Sequence, residues 1–443
     1  MFESTDRVAI IGGGIAGMAM ALALHKLNIL CTVYEMRDSV VAPKTAGGAM
    51  MLSPNALSIL DGLGVYPRLL GKGYPFEWTH YKNTDEDTVD RYPLGHEEAY
   101  GYKAMRIYRQ ELLTILCDVC NERGVPILFK KKFARIIKET EKGVEFEFAD
   151  GTTDSAALLV GAEGIHSKVR SYINPGVEPK YTGLTALTWE TPTAHLRIPE
   201  GKNYAFPVAV LTAGGAFVLA PQRPDGSAML AGTQFRLEDR SREEWERLLA
   251  DKQQLRDWAR ENMDVWPDIA RSAIENIDLD PHTLNIWPFR ALPRLERWAS
   301  PVHRRVVILG DAAHAVPPTT GQGASQAFED VLSLCLLVAR LREERSPEMQ
   351  WEDALDFWQK LRQERMDDLL ELTRRLNNKR LPLEKQALLG KDDLWFDESA
   401  TNPKQMAWLY LPQIEESIDA WVREKVGGRS TCPLRRFCPR DKN

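Results

Sequence analysis

The tightest constraint on this chain lies in its first thirty-five residues. Val8, Ala9, Ile10 and Ile11 make a short apolar run with the length of a buried strand, and it leads directly into Gly12-Gly13-Gly14-Ile15-Ala16-Gly17. A helix rich in Ala, Leu and Met follows to about Leu27, then a second strand over 31–34 that ends at Glu35. Strand, glycine turn, helix, strand and acid in this order form a dinucleotide-binding fingerprint in its required context. Gly12 permits the tight turn, Gly14 lets backbone approach a pyrophosphate, and Gly17 lets helix and strand pack closely. Glu35, eighteen residues beyond Gly17, can accept hydrogen bonds from a ribose. A surface glycine turn would account for the glycines but not for the acid.

A second stretch, VVILGDAAHAVPPTTGQGASQAFED over 306–330, has the same logic. Its β-branched start predicts a buried strand over 306–309, which ends at Gly310-Asp311. A loop rich in Pro and Gly then opens a helix at about Gln322. Such an element sets a carboxylate and free backbone N–H groups beside a ligand. The two stretches therefore read as halves of one nucleotide site, with Glu35 and Asp311 facing the same cavity.

Between them, GGAMMLSPN over 47–55 opens a helix over 55–63, and 75–93 is mixed and strand-like. The helix over 108–121 carries Arg109 in its first turn, where a cation opposes the helix dipole unless an anion lies nearby. A solvated surface arginine would read the same way. Short strands over 126–129, 135–139, 144–148 and 157–160 lead into GAEGIHSKVR, which begins at Gly161. From 174 to 301 the periodicity switches to short strands interrupted by two helical stretches, as in an inserted sheet domain. Long amphipathic helices over 329–342 and 351–378 follow, then a loop over 388–402 and a last helix over 413–426. The expected fold is α/β: a Rossmann-like nucleotide domain (1–173 and 302–378), a mixed β-sheet substrate domain inserted at 174–301, and a helical tail over 379–443.

Composition narrows the function class. A net charge of −6 over 443 residues argues against nucleic acid as partner. The longest apolar runs, such as 331–339, are too short for an integral membrane segment. The start, MFESTDR, lacks the pattern of a signal peptide, so a cytoplasmic protein is expected. Cys117 and Cys120 lie three apart in a helical pattern and Cys432 and Cys438 near the tail, all without partners at metal-ligand spacing. Reduced thiols and no metal are expected.

Together, GGGIAG with Glu35, GAEGIHSKVR and GDAAHAVPPTTGQGASQAFED resemble the para-hydroxybenzoate hydroxylase-like (group A) flavoprotein monooxygenases over roughly residues 5 to 375. In tone they are similar to the fungal branch that tailors natural products. The resemblance implies one FAD, with Gly12, Gly14 and Gly17 at the diphosphate and Glu35 at the adenosine ribose. Ala16, Arg37, Gly48 and Arg109 belong to the same cofactor-binding set. Asp311 would hold the ribityl chain, and Gly323, Ala324 and Ser325 would offer N–H groups to the flavin's pyrimidine edge. Donors at a helix start stabilise negative charge on a reduced flavin, which supports that assignment independently. No catalytic side chain is named.

This chain departs from the family pattern at Glu163, where Asp is usual, and at Ser325, where Asn is common. An Arg and a Tyr of the middle sheet that orient substrate in related fungal enzymes align with Thr188 and Phe217. His314 could donate a proton beside the flavin, although the resemblance makes it a loop-shaping residue, and His166 reads as structural. Trp287, Trp298 and Trp408 could flatten an aromatic substrate or belong to the core. The implied reaction uses NAD(P)H to reduce the flavin and O2 to form a flavin hydroperoxide, which transfers one oxygen to an electron-rich aromatic or alkene. Hydroxylation and epoxidation both fit. A halogenase would need a WxWxIP segment, which IWPFR at 286–290 does not supply. A reductase of the same fold, a non-catalytic flavin-binding protein and an NAD-linked dehydrogenase would also carry a nucleotide fingerprint of this kind.

Overall fold

The computed structural model describes residues 6–39, 48–261, 263–400, 402 and 404–427. At its centre is a five-stranded sheet in the order Val306–Ile308, Leu158–Gly161, Arg7–Ile11, Leu30–Tyr34, Ile127–Leu128, with every neighbouring pair parallel. A parallel sheet is covered on both faces, so its strands read as continuous apolar runs. Val8 to Ile11, Leu158 to Val160 and Val306 to Ile308 are all buried accordingly. The helix Ile15–Lys26 packs against Gly323–Glu344 and Arg109–Glu122. Its residues from Met18 to Leu24 are buried without interruption, as expected of a helix enclosed on all sides.

A second layer is a seven-stranded mixed sheet in the order Asn285–Ala291, Lys180–Pro192, Ala228–Arg236, Gly215–Pro221, Val208–Thr212, Trp78–Lys82, Thr88–Pro93. Within the strand-like stretch 75–93, Trp78–Lys82 and Thr88–Pro93 thus join a sheet otherwise built from Lys180 onward, through a parallel pairing of Trp78–Lys82 with Val208–Thr212. Side chains alternate across this sheet. Leu187, Trp189, Phe217 and Leu219 pack with Trp266 and the helix Asp268–Glu275 in a separate core, while Ala209, Leu211 and Ala216 join the core of the nucleotide domain. Phe217 lies on the outer face, edge-on to Trp189 with 5.8 Å between ring centroids. Its neighbours Ala216 and Val218 pack against the nucleotide domain instead.

Smaller antiparallel sheets complete the frame. One comprises Ala49–Leu52, Ala104–Tyr108 and Tyr74–Phe76. The other comprises Phe133–Thr140, Gly143–Phe148 and Thr153–Ala156. The helix Gly323–Glu344 is continuous from the loop that precedes it, and Trp351–Lys379 lies alongside. The last helix, Ile414–Lys425, docks on Gly323–Glu344 and buries Ile418, Trp421 and Val422, with Trp421 stacked on Phe357 of Trp351–Lys379. No described helix is long and apolar enough to cross a membrane. Cys31, Cys117, Cys120 and Cys335 are free and buried, whereas Cys432 and Cys438 lie outside the described residues. Burial pushes the Cys120 thiol up to about 12, which makes it inert. The described residues contain no group of His, Cys, Asp or Glu able to hold a metal.

Candidate functional site

The glycine turn is built by close approach. Gly12 has φ +107°, and a Cβ there would sit 2.5 Å from the carbonyl oxygen of Ala162. A Cβ on Gly17 would stand 1.9 Å from the carbonyl oxygen of Gly12. Around Gly14, by contrast, a Cβ would meet nothing within 4 Å. It is the N-cap of the helix Ile15–Lys26, with no side chain capping the first turn. The first N–H groups of that helix therefore have no capping partner, which favours an anion. Glu35 is buried, with Oε2 accepting from Gly13 N (2.8 Å) and Oε1 from the Arg37 backbone N and Nε (2.9 Å each).

The opposite wall comes from the far end of the sequence. Gly310, at φ +60°, turns the strand Val306–Ile308 into Asp311. Its N–H donates to Asp330 Oδ2 (2.8 Å), which also meets His314 Nε2 (2.6 Å), while Arg362 Nε donates to Asp330 Oδ1 (2.7 Å). Glu329 receives Asn55 Nδ2 (2.7 Å), Arg365 Nε (2.6 Å) and Arg362. Burial pushes both carboxyls up. For Glu329 the charges of Arg365 and Arg362 outweigh it, and for Asp330 those of His314 and Arg362, so both stay below the usual carboxylate range. His314 is thus a structural member of this network, lying against Trp298 at 5.1 Å.

A buried polar seam continues from this network. Gln322 Nε2 donates to Ser53 Oγ (2.8 Å), Ser53 and Ser325 share a hydroxyl contact (3.0 Å), and Asn55 Nδ2 reaches Gln322 Oε1 (3.2 Å). The seam ties the start of Gly323–Glu344 to the helix Pro54–Gly62. It leaves the first turn after Gln322 without a side-chain cap.

These walls enclose one cavity of about 810 Å³, within the range of small-molecule sites. Glu35 and Asp311 line the same space. Gly12, Gly14, Ala16, Arg37, Arg109, Gly323 and Ala324 line it with them. Gly17, Gly48 and Ser325 do not. Gly17 lies under the turn, Ser325 is in the seam, and the Gly48 carbonyl accepts the Arg109 N–H at 3.4 Å. Glu163 lines the cavity, but its carboxylate turns back to cap the helix Lys168–Ile173, accepting from Ser167 Oγ, Lys168 N and Val169 N. The extra methylene relative to Asp is thereby absorbed in a helix cap. Met50, Met51, Arg106, Lys131 and Lys132 also line the space, and sequence reasoning missed them. Trp298 is core, whereas Trp287 and Trp408 are 44% and 38% exposed.

Two uncapped helix starts, one acid at the end of the second strand and one after Gly310 suit a dinucleotide with a diphosphate and ribose-like hydroxyls. FAD meets that description, and the open space at Gly14 leaves room for its diphosphate.

A protein-family model described as "FAD binding domain" matches residues 5–352. Salicylate hydroxylase of Pseudomonas putida is 30% identical over 361 residues, covering 76% of this chain and 78% of that protein. The 3-amino-4-hydroxybenzoate 2-monooxygenase of Streptomyces cremeus is 28% identical over 356 residues, covering 75% and 79%. The solved structure of Klebsiella pneumoniae HpxO complexed with FAD and uric acid shares the fold. Its TM-score is 0.69 at 22% identity, covering 97% of this chain and 98% of that one.

Proposed function

The chain belongs to the FAD binding domain family, and from that premise we propose that it is a single-component, group A monooxygenase acting on an electron-rich aromatic. It is an FAD-dependent oxidoreductase that uses NAD(P)H and O2. The observation that carries the reading is that Glu35 and Asp311, 276 positions apart, line one cavity. The names of the relatives from Pseudomonas putida and Streptomyces cremeus favour a hydroxylated benzoate-like substrate. Tailoring of a natural product by the fungal branch is the finer reading that the motifs support.

Bound FAD would supply the redox and oxygen-transfer chemistry. The chain's own residues bind, orient and exclude water. Gly12, Gly14 and Ala16 would hold the diphosphate at the first helix start, with Gly17 allowing the turn. Glu35, braced by Arg37, would take the adenosine ribose, and Arg109 would add positive charge. Asp311 would hold the ribityl chain, and the N–H groups of Gly323 and Ala324 the pyrimidine edge. Gly48 and Ser325 would act by shaping the wall. The mixed sheet, assigned to 174–301 together with the strands of 78–93, would roof the ring and keep the reacting atoms dry.

Purified protein should be yellow with about one FAD per chain, and Asp311→Ala should lose most of that flavin. An aromatic substrate should accelerate NAD(P)H consumption, with one atom of labelled O2 appearing in the product. A colourless protein that takes up no added FAD would sink the reading.

A further inference from the structure

Among the described residues, the cavity is lined by one buried cation that the cofactor reading does not use. Arg106 lies on the strand Ala104–Tyr108, opposite Met51 of Ala49–Leu52, and lines the same space as Met50 and Met51. It is only 5% exposed. Its Nη2 donates to Gln222 Oε1 at 2.9 Å, and its Nε has no hydrogen-bond partner. Gln222 follows directly on the strand Gly215–Pro221 of the roofing sheet, and its Nε2 stands 3.7 Å from where a Cβ on Gly48 would be. Arg106 is therefore placed where the roof meets the wall of the cavity.

A guanidinium is always charged in a protein and is held inside only when something compensates it. The other buried arginines have that compensation. Arg362 pairs with Glu329 and Asp330, Arg340 pairs with Asp419, and Arg170 feels Glu178 and Glu163. Arg106 forms no ion pair with any carboxylate among the described residues, and its one hydrogen-bond partner is a neutral amide. Burial lowers its pKa to about 10, so it still carries its charge at neutral pH. Glu190 accepts from Tyr108, two residues along the same strand, and is already bridged by Arg223. Among the described residues no carboxylate pairs with the charge on Arg106, which lines the cavity.

We propose that Arg106, positioned by Gln222, is the binding residue for an anionic oxygen on the substrate, a carboxylate or a phenolate borne by an aromatic ring. A guanidinium presents its donors in a planar fork that suits such oxygens. This anchor comes from a different strand than Thr188, where the family's substrate-orienting Arg aligns, whereas Phe217 faces the outer core and not the cavity. The inference rests on the monooxygenase reading and names the residue that holds its substrate.

The test is binding to FAD-loaded enzyme, read as a change in the flavin absorbance spectrum. Salicylate is compared with its methyl ester, and 4-nitrophenol with 4-nitroanisole, so that carboxylate and phenolate are separated. Wild type should bind at least one anion ten-fold or more tightly than its neutral counterpart. Arg106→Met should lose at least ten-fold in affinity for that anion, bind the neutral compound as wild type does, and retain its FAD. Arg106→Lys should recover part of the preference. The proposal is overturned if wild type shows no preference for either anion, which can be measured even if Arg106→Met does not fold. It is also overturned if Arg106→Met keeps the preference, or if it folds but loses FAD, since Arg106 would then serve the cofactor. A wild type unable to bind FAD at all is a different failure, that of the monooxygenase reading.

Discussion

At the scale of single residues, the glycine turn separates two kinds of constraint that look alike in the sequence. Gly17 has a backbone oxygen 1.9 Å from its missing Cβ, whereas Gly14 has nothing within 4 Å. Gly17→Ala should therefore destabilise the fold by roughly 1–3 kcal/mol through overpacking. Gly14→Ala should cost at most about 1 kcal/mol as a changed N-cap, yet lower FAD affinity at least ten-fold by filling the approach to the diphosphate. Urea denaturation of the apoprotein and flavin titration separate the two effects. Equal stability losses in both variants would contradict this division. The spacing of these glycines was legible because a turn is a local event. Arg106 was not legible, since what makes it unusual is the lack of a carboxylate partner, a property of distant residues that meet only on folding.

At the scale of elements, the helix Gly323–Glu344 is held at the cavity by charge. Arg362→Met would leave Glu329 and Asp330 buried with one cation fewer, and loss of a partner from such a network costs roughly 3–5 kcal/mol. Equilibrium unfolding should report that loss, with reduced FAD retention alongside it. Both carboxyls have folded pKa values below the usual range. Their contribution is therefore complete above the unfolded carboxylate pKa of about 4, and it disappears as pH falls through the lower folded values. Wild-type stability should drop more steeply below about pH 4 than that of Arg362→Met. Identical acid limbs would rule this out. The helix itself could be read from its Gly-rich start and periodicity. Its fastening could not, because Asn55 and Arg362 reach Glu329 from 274 and 33 positions away.

At the scale of the whole molecule, the roofing sheet is assembled from two separated parts of the chain. Val208–Thr212 pairs with Trp78–Lys82 in parallel, and Thr88–Pro93 closes that side. A fragment of residues 174–301 lacks both outer strands and exposes the apolar edge of Val208–Thr212, a template for aggregation. We expect that fragment to be insoluble or to melt without cooperativity; a soluble, cooperatively folding fragment would contradict this. Alternation and turn residues made the 78–93 strands visible in the sequence. Their partner was not visible, because a parallel pairing across more than a hundred residues leaves no local trace.

The cavity's division between the two ends of the polypeptide has a consequence for its biosynthesis. Arg7–Ile11 is the middle strand of its sheet, but Val306–Ile308 and the helix start at Gly323 leave the ribosome much later. Domains generally fold as units during synthesis, amino-terminal parts first, yet here the first-made half must wait, with its flavin cradle open on one side, until Ala324 has been translated. Vitamin supply should therefore influence the yield of mature enzyme at the last stage of its making, when riboflavin-starved cells would accumulate full-length protein that is more easily degraded than the loaded form.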